Sequence, residues 1–152
     1  RESLLKIDLS SLPFEAAIKL SDGRRRVAVF LDPDCPYCSK MHDEIRKLRD
    51  VGVYVFLYPL VSIHPQAMQK AVSIWCAKDQ VAALDDHFLK GVIKPNNCPH
   101  PIDKVVSFAV SHGVSGTPTV ILDNGKVLGG FVTAEHIETL LRVEDGSIEK
   151  TN

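Results

Sequence analysis

The segment Cys35-Pro36-Tyr37-Cys38 constrains this chain most, because of what flanks it. Before it runs Val27-Ala28-Val29-Phe30-Leu31, a continuous apolar strand suited to a sheet covered on both faces. After it, Met41, Ile45 and Leu48 recur at helical spacing, so a helix is expected over Pro36–Asp50, stopped by Gly52. Val53-Tyr54-Val55-Phe56-Leu57-Tyr58 reads as a second strand, rich in β-branched and aromatic residues. A strand–helix–strand unit makes its two strands parallel and leaves both thiols at a strand-to-helix junction.

The remaining segments extend this unit. Leu4–Ser10 reads as an extended lead-in, and Phe14–Ile18 as a short helix with a Ser cap and Pro13 in its first turn. Helices are expected over Pro65–Lys78, Val81–Lys90 and Ile102–His112, with a Pro/Asn-rich loop at Lys94–Pro101. Val120–Leu122, the turn Asp123-Asn124-Gly125-Lys126 and Val127-Leu128 read as a β-hairpin. Ala134–Val143 closes the chain as an amphipathic helix capped by Thr133. The order is βαβ, a helical insertion at about residues 62–112, then ββα. Residues 1–12 are expected to be a linker remnant, 13–147 one domain, and 148–152 a tail.

Composition sets the class. The chain has 152 residues, 45% hydrophobic and 24% charged, enough for one domain with a real core. Its net charge of -1 gives no reason to expect nucleic acid as a partner. The dense basic run Arg24-Arg25-Arg26 follows Asp22-Gly23 and reads as a solvated turn. No apolar stretch approaches membrane-spanning length. The chain starts with neither an initiator Met nor a signal peptide, so it reads as processed or trimmed.

Two thiols at this spacing serve a redox couple, a structural pair or half of a zinc site. The strand-to-helix setting favours redox, and no second C-x-x-C or His-x-x-His is present to complete a zinc site. Pro36 at the first helical position makes Cys35 the cap residue. Orphan N–H groups and the helix dipole there favour a thiolate, which the nearby charges of Asp32 and Asp34 oppose. Cys38, one turn on, is expected to be more buried and to act as the resolving thiol. His42 shares the helix face of the two cysteines and fits either a packed residue or a proton shuttle. Asp85-Asp86 reads as a solvated pair and Trp75 as core. In Gly116-Thr117-Pro118-Thr119, a proline just before a strand fits a cis bond facing the dithiol or a trans proline opening the strand. With a dithiol present the cis form is expected, and the Thr117 backbone then pairs with an extended substrate peptide. Cys76 and Cys98 fit a disulfide across about two dozen residues, two separate thiols, or metal ligands with His100. An oxidising compartment favours the disulfide. No cofactor and no metal are expected.

These motifs carry a resemblance. Asp32 to His42 resembles the active-site segment of bacterial periplasmic disulfide isomerases of the DsbC/DsbG type. Ile74-Trp75-Cys76-Ala77-Lys78-Asp79 resembles their second-cysteine segment, and Gly113 to Pro118 their cis-proline loop. The resemblance implies an α/β thioredoxin fold with a helical insertion between the βαβ and ββα halves. It implies Cys35 and Cys38 as catalytic thiols and a Cys76–Cys98 structural disulfide. It also implies substrate contacts at Pro36, Tyr37, Gly116, Thr117 and Pro118 and a periplasmic location, while Asp34 and His42, by their places beside the two cysteines, are the candidate modulators. The implied partners are unfolded or misoxidised proteins and a membrane reductant of the DsbD type. The family is a V-shaped homodimer with an N-terminal dimerisation domain, for which this chain has no room. The chain departs from the best-known isomerases at Pro36-Tyr37, where they carry Gly-Tyr; Pro-Tyr is the glutaredoxin pair. Thr117-Pro118 and Gly129-Gly130 also resemble glutaredoxin's glutathione-binding elements. Val29, six residues before Cys35, stands where thioredoxin has a buried Asp, which argues against a general cytosolic reductase.

The expected function is a thiol–disulfide oxidoreductase of the isomerase type. Its rivals are a glutathione-linked reductase, a non-catalytic holdase with an apolar surface around Tyr37, and a zinc-binding module.

Overall fold

The computed structural model describes residues 2–144. The strands are β1 (Glu2–Lys6), β2 (Ile18–Ser21), β3 (Arg25–Leu31), β4 (Val51–Leu57), β5 (Thr119–Leu122) and β6 (Lys126–Gly129). The helices are α1 (Pro36–Ile45), α2 (Ala67–Trp75), α3 (Gln80–Lys90), α4 (Ile102–Ser111) and α5 (Ala134–Glu144). Among the described residues the strands form one sheet in the order β1-β6-β5-β3-β4-β2. β3 runs parallel to β4, and the other pairings are antiparallel.

The central strands are buried on both faces, as their continuous apolar runs require. Successive side chains alternate between faces. Val27, Val29 and Leu31 point to one core with Met41 and Ile45 of α1 and Ile137 and Leu141 of α5. Ala28 and Phe30 point to the other with Val105 and Ala109 of α4. On that second face Phe30 stacks on Phe56 with ring centres 5.0 Å apart, and Tyr58 Oη donates to the Val114 carbonyl at 3.0 Å.

The N-terminal segment is part of the fold. β1 pairs with β6 at a sheet edge, and Ile7, Leu9 and Leu12 are buried in the second core. The lead-in over Leu4–Ser10 thus divides into a strand and a 3-10 turn at Leu9–Ser11. The short helix expected over Phe14–Ile18 is a single 3-10 turn, Phe14–Ala16, followed by β2. Ile18 and Leu20 face inward while Lys19 faces out, a period of two that suits pairing with β4 and overrides local helix preference.

The helix expected to reach Asp50 ends at Ile45, and β4 starts at Val51 and contains Gly52. Asp50, the residue just before β4, takes the left-handed region at φ 55 and turns the chain into the strand. Its carboxylate accepts from Arg24 N at 3.0 Å and pairs with the Arg24 guanidinium. Gly23 lies so close that a Cβ there would sit 2.2 Å from the Asp50 carbonyl carbon. The first insertion helix is also shorter than Pro65–Lys78, spanning Ala67–Trp75. The hairpin turn and the Thr133 cap are as expected, with His136 N donating to Thr133 Oγ1 at 3.1 Å. The tail expected at 148–152 lies outside the described residues.

The insertion between β4 and β5 is fastened in two ways. Cys76 and Cys98 form a disulfide that ties the Pro/Asn-rich loop to the end of α2. Asn96 Nδ2 also donates to the Cys76 carbonyl at 2.8 Å. Across the α1–α3 interface, buried His42 donates from Nε2 to Asp85 Oδ1 at 2.7 Å and stacks on Phe88. Arg46 closes on the same carboxylate. Asp85 is therefore half of an interhelix contact rather than a solvated residue. Burial alone would raise its carboxyl, but Arg46 and His42 outweigh that and hold it below the usual carboxylate range. Burial pulls the His42 imidazole below the usual histidine range, against the pull of Asp85.

Two outcomes follow. Replacing both Cys76 and Cys98 by Ala removes a cross-link over a loop of about two dozen residues and lowers unfolding free energy by about 3 kcal/mol. Urea unfolding with and without reductant measures this; an unchanged midpoint contradicts it. For His42, the unfolded chain binds the proton more tightly than the fold does. Its contribution is therefore full above the unfolded value, about 6.5, and is lost as pH falls from there through the folded value. His42→Gln is expected to be less stable near pH 7 yet to lose less on acidification to about pH 5.5. Equal pH slopes for both proteins contradict it.

Candidate active site

Cys35 ends the loop that leaves β3 and caps α1, with Pro36 in the first turn. A proline fits there because its missing N–H would have had no helical partner. Cys35 is half-buried and Cys38 fully buried, and neither is bridged. The Cys35 sulfur makes no side-chain cap hydrogen bond to its own helix. It instead faces the Thr117 carbonyl across 3.7 Å. Cys38 Sγ lies behind it and accepts from Asp32 N at 3.3 Å. Burial pushes the Cys38 thiol well up; the Thr117 hydroxyl and the Asp32 N–H oppose that rise, and Cys35 adds to it. The Thr117 hydroxyl is buried and has no hydrogen-bond partner of regular geometry among the described residues. The dithiol is therefore asymmetric, with one sulfur reachable and the other kept protonated by its surroundings.

The loop before Cys35 is held residue by residue. Asp32 is 0% exposed, and its carboxylate accepts from Asp34 N at 2.8 Å, Leu60 N at 3.0 Å and His64 Nδ1 at 2.7 Å. The Asp32 carbonyl accepts from Cys35 N at 3.2 Å. The Pro33 carbonyl accepts from His87 Nε2 on α3. Asp34 Oδ1 accepts from Lys70 Nζ on α2 at 2.6 Å. Sequence reasoning did not find Lys70, His64, His87 or Asp85, and read Asp32 as a nearby charge. The sequence signal available for Asp32 was a carboxylate directly after a fully apolar strand.

The facing loop has a cis Thr117–Pro118 bond. It is fixed on both sides, by Thr119 Oγ1 donating to the Gly116 carbonyl at 2.7 Å and Gly130 N donating to the Pro118 carbonyl at 2.9 Å. Beside it runs a groove of about 290 Å³ whose walls include Gly116, Thr117, Pro118, Gly129, Gly130 and Leu5. Tyr37 is 58% exposed, with Lys40 Nζ 5.1 Å from its ring centre. Of the residues singled out from sequence, Cys35, Cys38 and Thr117 meet at the sulfur centre. Asp34 turns to Lys70. His42 is bound to Asp85 in the α1–α3 interface, and Cys76–Cys98 sits at the far end of α2.

This arrangement supports thiol–disulfide exchange: an accessible sulfur to attack, a second sulfur one turn away to displace it, and a polar backbone loop alongside. Comparisons with known proteins agree. A family model described as a thioredoxin-like domain matches residues 15–143. The chain is similar to the probable thiol:disulfide interchange protein DsbC of Bordetella avium, at 36% identity over 145 residues, 93% of this chain and 52% of that protein. It is similar to the thiol:disulfide interchange protein DsbC of Salmonella typhimurium, at 35% identity over 141 residues, 91% of this chain and 60% of that protein. The chain thus spans less than two thirds of the length of these curated relatives. Among solved structures, a disulfide interchange protein from Neisseria gonorrhoeae superposes with a TM-score of 0.80 at 34% identity, covering 87% of this chain and 97% of that one. The chain belongs to the thioredoxin-like domain family, among its disulfide interchange proteins.

Proposed function

We propose that this domain is the catalytic unit of an exported protein disulfide isomerase. The observation that carries the reading is the unequal dithiol, Cys35 half-buried opposite the Thr117 carbonyl and Cys38 buried behind it. The Cys35 thiolate attacks one sulfur of a non-native disulfide, forms the mixed disulfide and releases the other substrate sulfur as a thiolate. A substrate thiolate then displaces Cys35, which leaves the substrate rearranged and the domain reduced. Alternatively Cys38 loses its proton and attacks Cys35, which leaves the substrate reduced and a Cys35–Cys38 disulfide.

Pro36, Tyr37, Gly116, Thr117 and Pro118 form the proposed peptide-contact surface. Its substrates are unfolded or misoxidised proteins. Isomerisation starts from the reduced dithiol, so a membrane reductant of the DsbD type is the proposed partner. The names of the relatives and the Cys76–Cys98 disulfide support a periplasmic setting, since such bonds persist in oxidising compartments.

One observation favours a second reading. Pro36-Tyr37 matches the glutaredoxin pair, and Thr117-Pro118 shares a groove with Gly129-Gly130. A glutathione-linked reductase would use that groove for the tripeptide.

Refolding of a scrambled multi-disulfide protein tests the proposal. Cys35→Ala is expected to abolish the gain in native yield. Cys38→Ala is expected to retain part of it and to accumulate a substrate adduct on Cys35, visible on non-reducing gels. Full yield with Cys35→Ala overturns the enzyme reading and leaves a holdase. A redox titration against glutathione separates the two enzyme readings together with turnover. A potential near about −180 mV with strong refolding activity fits the isomerase. Glutathione:disulfide turnover exceeding refolding favours the reductase.

A further inference from the structure

Asp34 immediately precedes the attacking thiol, and an unbalanced carboxylate there disfavours an anionic sulfur. The structure balances it. Lys70, on the first insertion helix, places Nζ 2.6 Å from Asp34 Oδ1, and the two side chains are 32% and 21% exposed. An ion pair on open surface is screened and changes little. This one is partly shielded, joins residues 36 apart in sequence and is made by the residue that precedes Cys35 in the chain.

The other charged and titratable groups around the dithiol are already engaged. Asp32 is enclosed by three donors, one of them His64. His87 is bound to the Pro33 carbonyl, and Lys40 lies over the Tyr37 ring. Cys38 is held as a thiol by burial. Lys70 is the cation placed directly on the Asp34 carboxylate.

We propose that Lys70 is a positioning residue for the dithiol: its ammonium, held on Asp34, cancels the negative charge next to Cys35 and so favours the anionic, attacking form of that sulfur. This rests on the reading of Cys35 as the attacking thiol. One unit charge several ångströms away, at an effective dielectric between that of a protein surface and water, changes the proton affinity of a sulfur by about threefold to tenfold.

The test is a pH titration of thiolate ultraviolet absorbance in a Cys38→Ala background, where Cys35 supplies the signal. Lys70→Met is expected to move the transition to higher pH by about threefold to tenfold in proton affinity. Asp34→Asn is expected to move it lower, the double variant to return it towards the parent, and Lys70→Arg to leave it in place. Circular dichroism confirms that each variant is folded. A folded Lys70→Met protein with an unmoved transition overturns the proposal. So does a Lys70→Arg protein that shifts as far as Lys70→Met, because that outcome assigns Lys70 to packing. If Lys70→Met does not fold, Asp34→Asn decides from the other side of the pair, and an unmoved transition there also overturns it. The titration needs no disulfide substrate, so a failed refolding assay would sink the isomerase reading without touching this result.

Discussion

Asp32 has no exposed surface, and an ionised carboxylate so placed costs several kcal/mol unless donors surround it. Leu60 N, His64 Nδ1 and Asp34 N supply them. Meeting that demand fixes three things together: the turn out of β3, the start of the segment after β4, and the backbone of Asp32 itself. The backbone then holds both cysteines, its N–H donating to Cys38 Sγ and its carbonyl accepting from the Cys35 backbone N–H. The rest of the site inherits its geometry from this carboxylate.

The helical insertion takes part in the site. α2 reaches Asp34 through Lys70, α3 reaches Pro33 through His87, and α3 also holds α1 through Asp85, His42 and Arg46. The Cys76–Cys98 disulfide keeps the end of α2 fixed to the Pro/Asn-rich loop after α3, so these reaches come from a braced frame. A bare βαβ–ββα core could carry a Cys-x-x-Cys, but residues 32–34 would lack these side-chain holds. This is why the loop can present Cys35 and still keep Cys38 covered.

Local signals in the sequence were sufficient for much of this. Cys35 as a cap, Pro36 in the first turn and the Thr117–Pro118 loop follow from short motifs whose chemistry is set by their neighbours. The doubly buried strands were legible in Val27–Leu31 because a continuous apolar run has few other uses. What escaped depended on distance along the chain. Asp85 read as solvated because its partners His42 and Arg46 lie 43 and 39 residues away. His64 and His87 looked scattered until the fold brought them onto Asp32 and Pro33. Phe14-Glu15-Ala16-Ala17 carries helical preference, which hides the start of β2 at Ile18, because the Ile18–Ser21 pairing is supplied by β4. Gly52 does not mark the end of α1, because it lies inside β4; the helix stops at Ile45, and Asp50 in a left-handed turn leads into the strand.

The two sulfurs differ in kind, Cys35 reachable and Cys38 sealed behind the Asp32 turn. The most direct measurement is time-resolved alkylation of the reduced, native protein near neutral pH, with each cysteine followed by peptide mass spectrometry. The geometry predicts that Cys35 is modified to completion while Cys38 stays free, and that Cys38 reacts only on unfolding. Comparable rates for the two thiols, or labelling of Cys38 first, would contradict it.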